Sequence, residues 1–108
     1  MRRRLARLRG REDEGVAAAR SAHAAGRFAE ARRILAPVVA EGDASLEVVR
    51  GMAELDYLLG DYATAEMLLT QVVARAGKDI EARADAERAL ALVYLQTNRY
   101  AERSTSPG

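Results

Sequence analysis

Two six-residue stretches, Gly-Arg-Phe-Ala-Glu-Ala at 26–31 and Gly-Asp-Tyr-Ala-Thr-Ala at 60–65, decide the fold of this chain. The second repeats the pattern of the first, and the agreement continues at the same spacing on both sides of each stretch. The further matching pairs are Ala19 with Ala53, Leu35 with Leu69, Val38 with Val72, and Val39 with Val73. A period of about 34 residues indicates a helix-turn-helix unit that is repeated along the chain.

The spacing of apolar residues predicts an all-α protein. Apolar residues recur three and four positions apart, as in 34–39, 55–59 and 67–73, and no sustained alternation or hairpin dipeptide indicates strands. Residues that end helices at low cost separate these segments, and they are Gly26, Gly42, Gly60, Gly77 and Asn98. We expect helices of about 12 to 17 residues that form antiparallel hairpins.

A third, incomplete copy follows the first two. Residues 91–102 repeat the end of the first helix and the turn, but they stand four positions later than the period of the first two copies predicts. We therefore expect a basic leader at 1–11, a repeat domain at 12–103 with units at about 12–45, 46–79 and 84–103, and a flexible tail at 104–108. We expect the third unit to lack its second helix. Either the natural protein then continues beyond this chain, or self-association covers the apolar face that remains.

This pattern resembles the tetratricopeptide repeat family over about residues 12–103. The resemblance implies helical hairpins stacked in a short right-handed superhelix, with small residues where helices cross and an aromatic residue after each turn. The small positions are Ala19, Ala31, Ala53, Ala65 and Ala91, and the turn aromatics are Phe28, Tyr62 and Tyr100.

Several positions depart from the family pattern. Gly15 and Val49 stand where the family usually has Trp, and Asp56 stands where it has Tyr. Pro37 lies inside a predicted helix and is expected to kink or end it, because proline removes a backbone hydrogen bond. Asp43 is expected to cap the following helix.

Composition argues against several classes of chemistry. Of the 108 residues, 49% are hydrophobic and 31% charged, which is typical of a folded domain. The chain has no Cys and a single His, so a thiolate zinc site, a cysteine nucleophile and a multi-histidine metal centre are excluded. Phosphate-binding loops and nucleophile elbows are also absent from the sequence. We expect no enzymatic activity, no metal and no cofactor.

The charge is distributed unevenly. Six arginines and no acid lie in residues 1–11, which leaves eleven basic and sixteen acidic residues, a net charge of −5, in residues 12–108. Nucleic-acid binding is therefore not expected of the body of the protein, and an alternative function as a nucleic-acid or anionic-surface adaptor depends on the leader. Apolar runs are too short for a membrane span. We expect a cytoplasmic protein, and the excess of Arg and Ala over Lys is typical of a bacterial source.

The resemblance implies a concave groove lined by the first helix of each unit. Arginines there would pair with carboxylates of a peptide, and apolar residues would supply contact area. The candidate groove residues are Arg20, His23, Arg50, Glu54, Tyr57, Arg88, Leu92, Leu95 and Gln96. The alternative is a solvated face on which Glu47, Arg50 and Glu54 pair within one helix. The Lys/Asn clamp for chaperone C-termini is unmatched, because its positions are Val16, Arg20, Gly51, Asp85 and Ala89.

The sequence thus predicts a protein-interaction module that binds a peptide or helix of a partner, or its own copy. Leu90, Val93 and Tyr94 are the candidates for self-association into a homodimer, since the missing helix leaves the last unit uncovered. A regulatory fragment of a larger enzyme is a further alternative.

Overall fold

The computed structural model describes the backbone of residues 2–42 and 44–105, and the side chains of residues 13–42 and 44–98. The described backbone contains five α-helices and no strand. The helices are α1 (Arg2–Ala24), α2 (Phe28–Ala40), α3 (Leu46–Leu58), α4 (Tyr62–Ala76) and α5 (Ile80–Thr105). The prediction of an all-α protein is confirmed.

The two glycine stretches form the same turn. Gly26 has φ 79° and Gly60 has φ 88°, a left-handed conformation that favours glycine. The amide of Arg27 donates to the Ala22 carbonyl and the amide of Asp61 donates to the Asp56 carbonyl, both at 2.8 Å. These hydrogen bonds satisfy carbonyls at the ends of α1 and α3. The period in the sequence is therefore a repeat of backbone geometry.

The helix starts are partly capped by side chains. Asp61 Oδ1 accepts from the Thr64 amide at 3.2 Å, and Ser45 Oγ accepts from the Val48 amide at 3.3 Å. The N-cap of α3 is thus Ser45, and the prediction that Asp43 caps this helix is wrong. Ser45 directly precedes the helix, where its side chain reaches the third amide. Asp43 itself lies outside the described residues.

Successive helices pack against each other. Contacts join α1 to α2, α2 to α3, α3 to α4 and α4 to α5, and α3 also contacts α5. Ala31, Ala53 and Ala65 are fully buried, which agrees with their predicted place where helices cross closely. Leu69 and Val72 on α4 and Val93 on α5 are the largest apolar side chains that are almost completely buried. The stacked hairpins confirm a helical repeat architecture.

The third unit differs from the prediction. The turn expected at Asn98 is absent, and α5 runs through this position to Thr105. Asn98 is not glycine, and the described residues include no second helix against which a turn here could pack. Ala91, expected at a helix crossing, is exposed, and the buried positions of α5 are Ala86 and Val93. The alignment of the third copy with the first two therefore does not describe the packing of α5.

Four further expectations about helix lengths and boundaries differ from the structure. Pro37 does not end α2, which continues to Ala40. With 23 and 26 residues, α1 and α5 exceed the predicted helix lengths. The helix α1 begins at Arg2 and so crosses the boundary drawn between leader and repeat domain at residue 11. α5 extends into the predicted tail, of which residues 106–108 lie outside the described residues.

Candidate functional site

The helices α1, α3 and α5 line one face of the molecule with two adjoining depressions. The first lies between α1 and α3 and has a volume of about 530 Å³. Its charged lining residues are Asp13, Arg20, His23, Glu47, Arg50 and Glu54. Val16 and Gly51 contribute small or apolar surface between them. This depression is therefore the polar part of the face.

The second depression lies between α3 and α5 and has a volume of about 430 Å³. Its lining is more apolar, and it includes Ala53, Tyr57, Leu58, Leu69, Ala89, Leu92 and Val93. Arg50 and Glu54 line both depressions, so the two meet at these side chains. We call the two depressions together the groove.

Seven of the nine candidate groove residues line one or both of the depressions. Arg20 and His23 line the first depression, Tyr57, Arg88 and Leu92 line the second, and Arg50 and Glu54 line both. Gln96 donates from Nε2 to the Tyr57 hydroxyl at 3.5 Å, which links α5 to α3. Leu95 is 54% exposed but lines neither depression.

Ion pairs cross the groove between helices. Arg20 Nη2 lies 3.3 Å from Glu47 Oε1, and His23 Nε2 lies 3.7 Å from Glu54 Oε1. Both pairs join α1 to α3, so Arg50 does not form the pairs with Glu47 and Glu54 expected within α3. The pairing within α3 is therefore not found among the described side chains, whereas the exposure of Arg20 and Glu47 is compatible with a solvated face. The Arg20 and Glu47 side chains are mostly exposed, so their pairing contributes little to stability.

Arg50 is the groove cation that has no partner among the described side chains. Arg20 pairs with Glu47, and Arg88 Nη2 lies 3.4 Å from Asp85 Oδ1. Within the part of the chain whose side chains the structure describes, no acceptor is within hydrogen-bond or ion-pair distance of Arg50, which is half-buried. With respect to the described side chains, its N–H donors can therefore bind an added acceptor.

His23 occupies a position that is aromatic in the next unit. Its ring centroid lies 5.2 Å from that of Phe28, and Tyr57 lies 5.5 Å from Tyr62 in the equivalent contact of the second unit. The contact with Phe28 thus explains the position of the His23 ring without a ligand. The described residues contain no group of three metal-ligating side chains.

The self-association candidates are divided between core and surface. Val93 is fully buried and belongs to the core of the chain, because it faces α3 and α4. Leu90 is half-buried against the core, and Tyr94 is 44% exposed. Of the three, Tyr94 offers the most surface to a second copy.

The sequence interpretation missed a charged cluster formed by Arg32, Asp56 and Asp61. Asp56 on α3 is fully buried and accepts a hydrogen bond from Nε of Arg32 on α2. Arg32 Nη2 also lies 3.9 Å from Asp61 Oδ2 at the start of α4. A usable sign in the sequence was the acid within the apolar run 55–59, where only a buried or paired carboxylate fits the pattern.

The cluster shifts the titration of two of its members. The hydrogen bond to Asp56 and the charge of Asp56 raise the pKa of Arg32 above its usual range. Hydrogen bonds from Thr64 lower the pKa of Asp61, with a smaller contribution from the charge of Arg32. Arg32 and Asp61 therefore stay ionised near neutral pH. The contacts of the cluster tie α2, α3 and α4 together.

Comparison with known proteins gives one match. A family model described as Tetratricopeptide repeat matches residues 22–84, more than half of the chain. Repeats of this family typically act as non-catalytic modules that mediate protein–protein interactions. No curated protein and no solved structure matches the chain significantly. Within the described residues, every helix is too short or too polar to cross a membrane.

Proposed function

Since the chain belongs to the tetratricopeptide repeat family, we propose that it is a non-catalytic module that binds a peptide or helix of a partner protein along the groove. The observation that carries this proposal is the pair of adjoining depressions on α1, α3 and α5. Together they form one continuous surface with a polar and an apolar part.

The apolar part supplies contact area for a partner. Leu58 and Leu92 line the second depression with 44% and 52% of their surfaces exposed. Ala53 and Ala89 line the same depression, and their short side chains leave room for inserted side chains. Burial of such surface by an amphipathic segment favours binding by about 25 cal/mol per Å² before the costs of association.

The charged side chains in the polar part of the groove set the orientation of the partner. Most charged groove side chains lie within ion-pair distance of a neighbour, from α1 to α3 or within α5. A partner that leaves these pairs intact avoids the cost of separating them. Specificity then comes from the charges and hydrogen-bonding groups that the partner brings to the groove.

Peptide selection on the purified protein tests this function. A phage-displayed library of random peptides is selected on the wild-type chain, and the enriched peptides are synthesised and titrated by calorimetry. Leu92→Asp places a charge in the apolar part of the groove and is expected to weaken binding at least about tenfold. Met67→Asp is the matched control, because Met67 is 53% exposed on α4 outside both depressions. Equal affinities of the two variants contradict the groove assignment.

Self-association is the second candidate, and the exposed Tyr94 on α5 favours it. No second helix of the third unit lies next to this side chain in the described residues. A homodimer that covers Tyr94 and Leu90 leaves Leu92 and the groove accessible, so the two functions are compatible. The adaptor function of the arginine-rich leader, a role as part of a larger enzyme, and a cytoplasmic location stay predictions.

A further inference from the structure

We propose that the groove recognises an internal acidic side chain of its partner, one carboxylate set among apolar residues, which binds to Arg50. The inference rests on the proposed function and specifies the chemistry of the partner. It follows from the position of Arg50, its lack of a partner among the described side chains, and the distribution of the other charges around it.

Arg50 lies at the centre of the groove, where the two depressions meet. Arg50 lines both depressions, so any segment that occupies the whole groove passes over this side chain. If a bound segment leaves the guanidinium of Arg50 half-buried without an acceptor, the binding free energy becomes less favourable. A carboxylate removes this cost, because it accepts two parallel hydrogen bonds from the planar fork of an arginine.

The neighbouring charges limit the partner to a single carboxylate at this place. Glu47 and Glu54, the acids one turn away from Arg50 on α3, are within ion-pair distance of Arg20 and His23. Glu54 nevertheless lines the same depressions, and Asp13 on α1 lines the first one. A multiply acidic segment would be repelled by these two carboxylates, whereas one carboxylate at Arg50 is attracted.

The shape of the groove indicates that the carboxylate belongs to a side chain. The groove continues from Arg50 in two directions, toward α1 and toward α5. A C-terminal carboxylate bound to Arg50 would end the partner at that point and leave one depression empty. An acidic side chain allows the main chain to run through both depressions, with its apolar residues at Leu58 and Leu92.

The test is a double-mutant cycle with the groove-binding peptides from the selection. We expect these peptides to share one Asp or Glu next to apolar residues. Arg50→Gln, or replacement of that acid by its amide, is expected to weaken binding about tenfold, and the two changes together should cause little further loss. Arg33→Gln is the matched control, because Arg33 is exposed on α2 and lines neither depression. Arg50→Lys retains the charge and is expected to bind with intermediate affinity.

The outcomes separate this inference from the proposed function. Peptides that lose affinity with Leu92→Asp but bind Arg50→Gln and Arg33→Gln equally overturn the Arg50 inference alone. A requirement for a free peptide C-terminus, lost on amidation, also overturns it. A selection that yields no peptide sensitive to Leu92→Asp contradicts both. A carboxylate whose effect disappears in Arg50→Gln, after circular dichroism shows that the variant is folded, supports the inference.

Discussion

At the scale of single residues, the pairing of Arg32 with Asp56 is the least expected feature of the molecule. The equivalent of Asp56 at the same position of the first unit is Ala22, which is also buried. The fold therefore accepts an alanine here, and the carboxylate is tolerated only because Arg32 reaches it from α2. The carboxylate of Asp56 thus links the second unit to Arg32 of the first unit.

Removal of Arg32 is expected to destabilise the protein more than removal of the whole pair. Arg32→Ala leaves Asp56 buried and unpaired, and we expect a loss of about 2 kcal/mol, less than for a fully buried pair because water reaches Arg32. The double variant Arg32→Ala with Asp56→Ala should recover part of this loss. Urea unfolding of both variants and of Asp56→Ala measures the coupling. Additive effects of the two substitutions would contradict a cooperative pair.

The lowered pKa of Asp61 predicts a stability that depends on pH. A folded-state pKa below the unfolded value of about 3.9 means that the ionised group stabilises the native state at higher pH. This contribution is fully present above the unfolded value and is lost as the pH falls through the folded value. The variant Asp61→Asn retains a capping oxygen but cannot ionise. Urea unfolding of the wild type and this variant over a range of pH therefore isolates the contribution of the ionised carboxylate. The difference in unfolding free energy should be constant near neutral pH and shrink in acid.

At the scale of helices and turns, glycines at two kinds of position have opposite roles. Gly60 has φ 88° and ends α3, where a side chain strains the backbone. Gly51 lies within α3, and a Cβ built there has nothing within 4 Å. The same substitution is therefore expected to have opposite signs at the two positions.

Gly60→Ala is expected to destabilise the protein by about 1 to 2 kcal/mol because of its left-handed backbone. Gly51→Ala is expected to stabilise it by up to about 1 kcal/mol because alanine has the higher helix propensity. Thermal unfolding of the two variants beside the wild type measures both. Destabilisation by Gly51→Ala would show that the groove side of α3 has less room than the structure indicates.

The hairpins could be predicted from the sequence, whereas the last helix could not. Gly26 and Gly60 identify the turns because few residues other than glycine tolerate their backbone geometry. Asn98 offers a weaker preference, and no described helix packs against the turn that it could form. The third unit therefore continues as the single helix α5.

The candidate groove could be predicted in its residues but not in its pairings. The resemblance to the repeat family implies that Arg20, Arg50 and Glu54 face one groove, because the first helix of each unit lines that groove in the family. Whether Glu54 pairs along its own helix or with His23 depends on the distance between α1 and α3, which the sequence does not contain. The availability of the Arg50 guanidinium is a consequence of that packing.

At the scale of the whole molecule, the exposed Tyr94 on α5 predicts a concentration-dependent dimer. Light scattering over a range of protein concentrations measures its mass, and Tyr94→Ala should weaken the association because Tyr94 is the most exposed of the candidate contacts. Met67→Ala, which removes an exposed apolar side chain on α4, is the control. A strict monomer at all concentrations would contradict self-association through α5.

The groove as the binding surface is the central claim, and amide chemical shifts measured by NMR test it most directly. The isotope-labelled chain is titrated with a selected peptide, and the shift changes are mapped onto the helices. We predict the largest changes in α1, α3 and α5, at residues 13–24, 46–58 and 85–96, with small changes on the outer sides of α2 and α4. Changes concentrated on α2 and α4, or confined to residues 1–11, would contradict the claim.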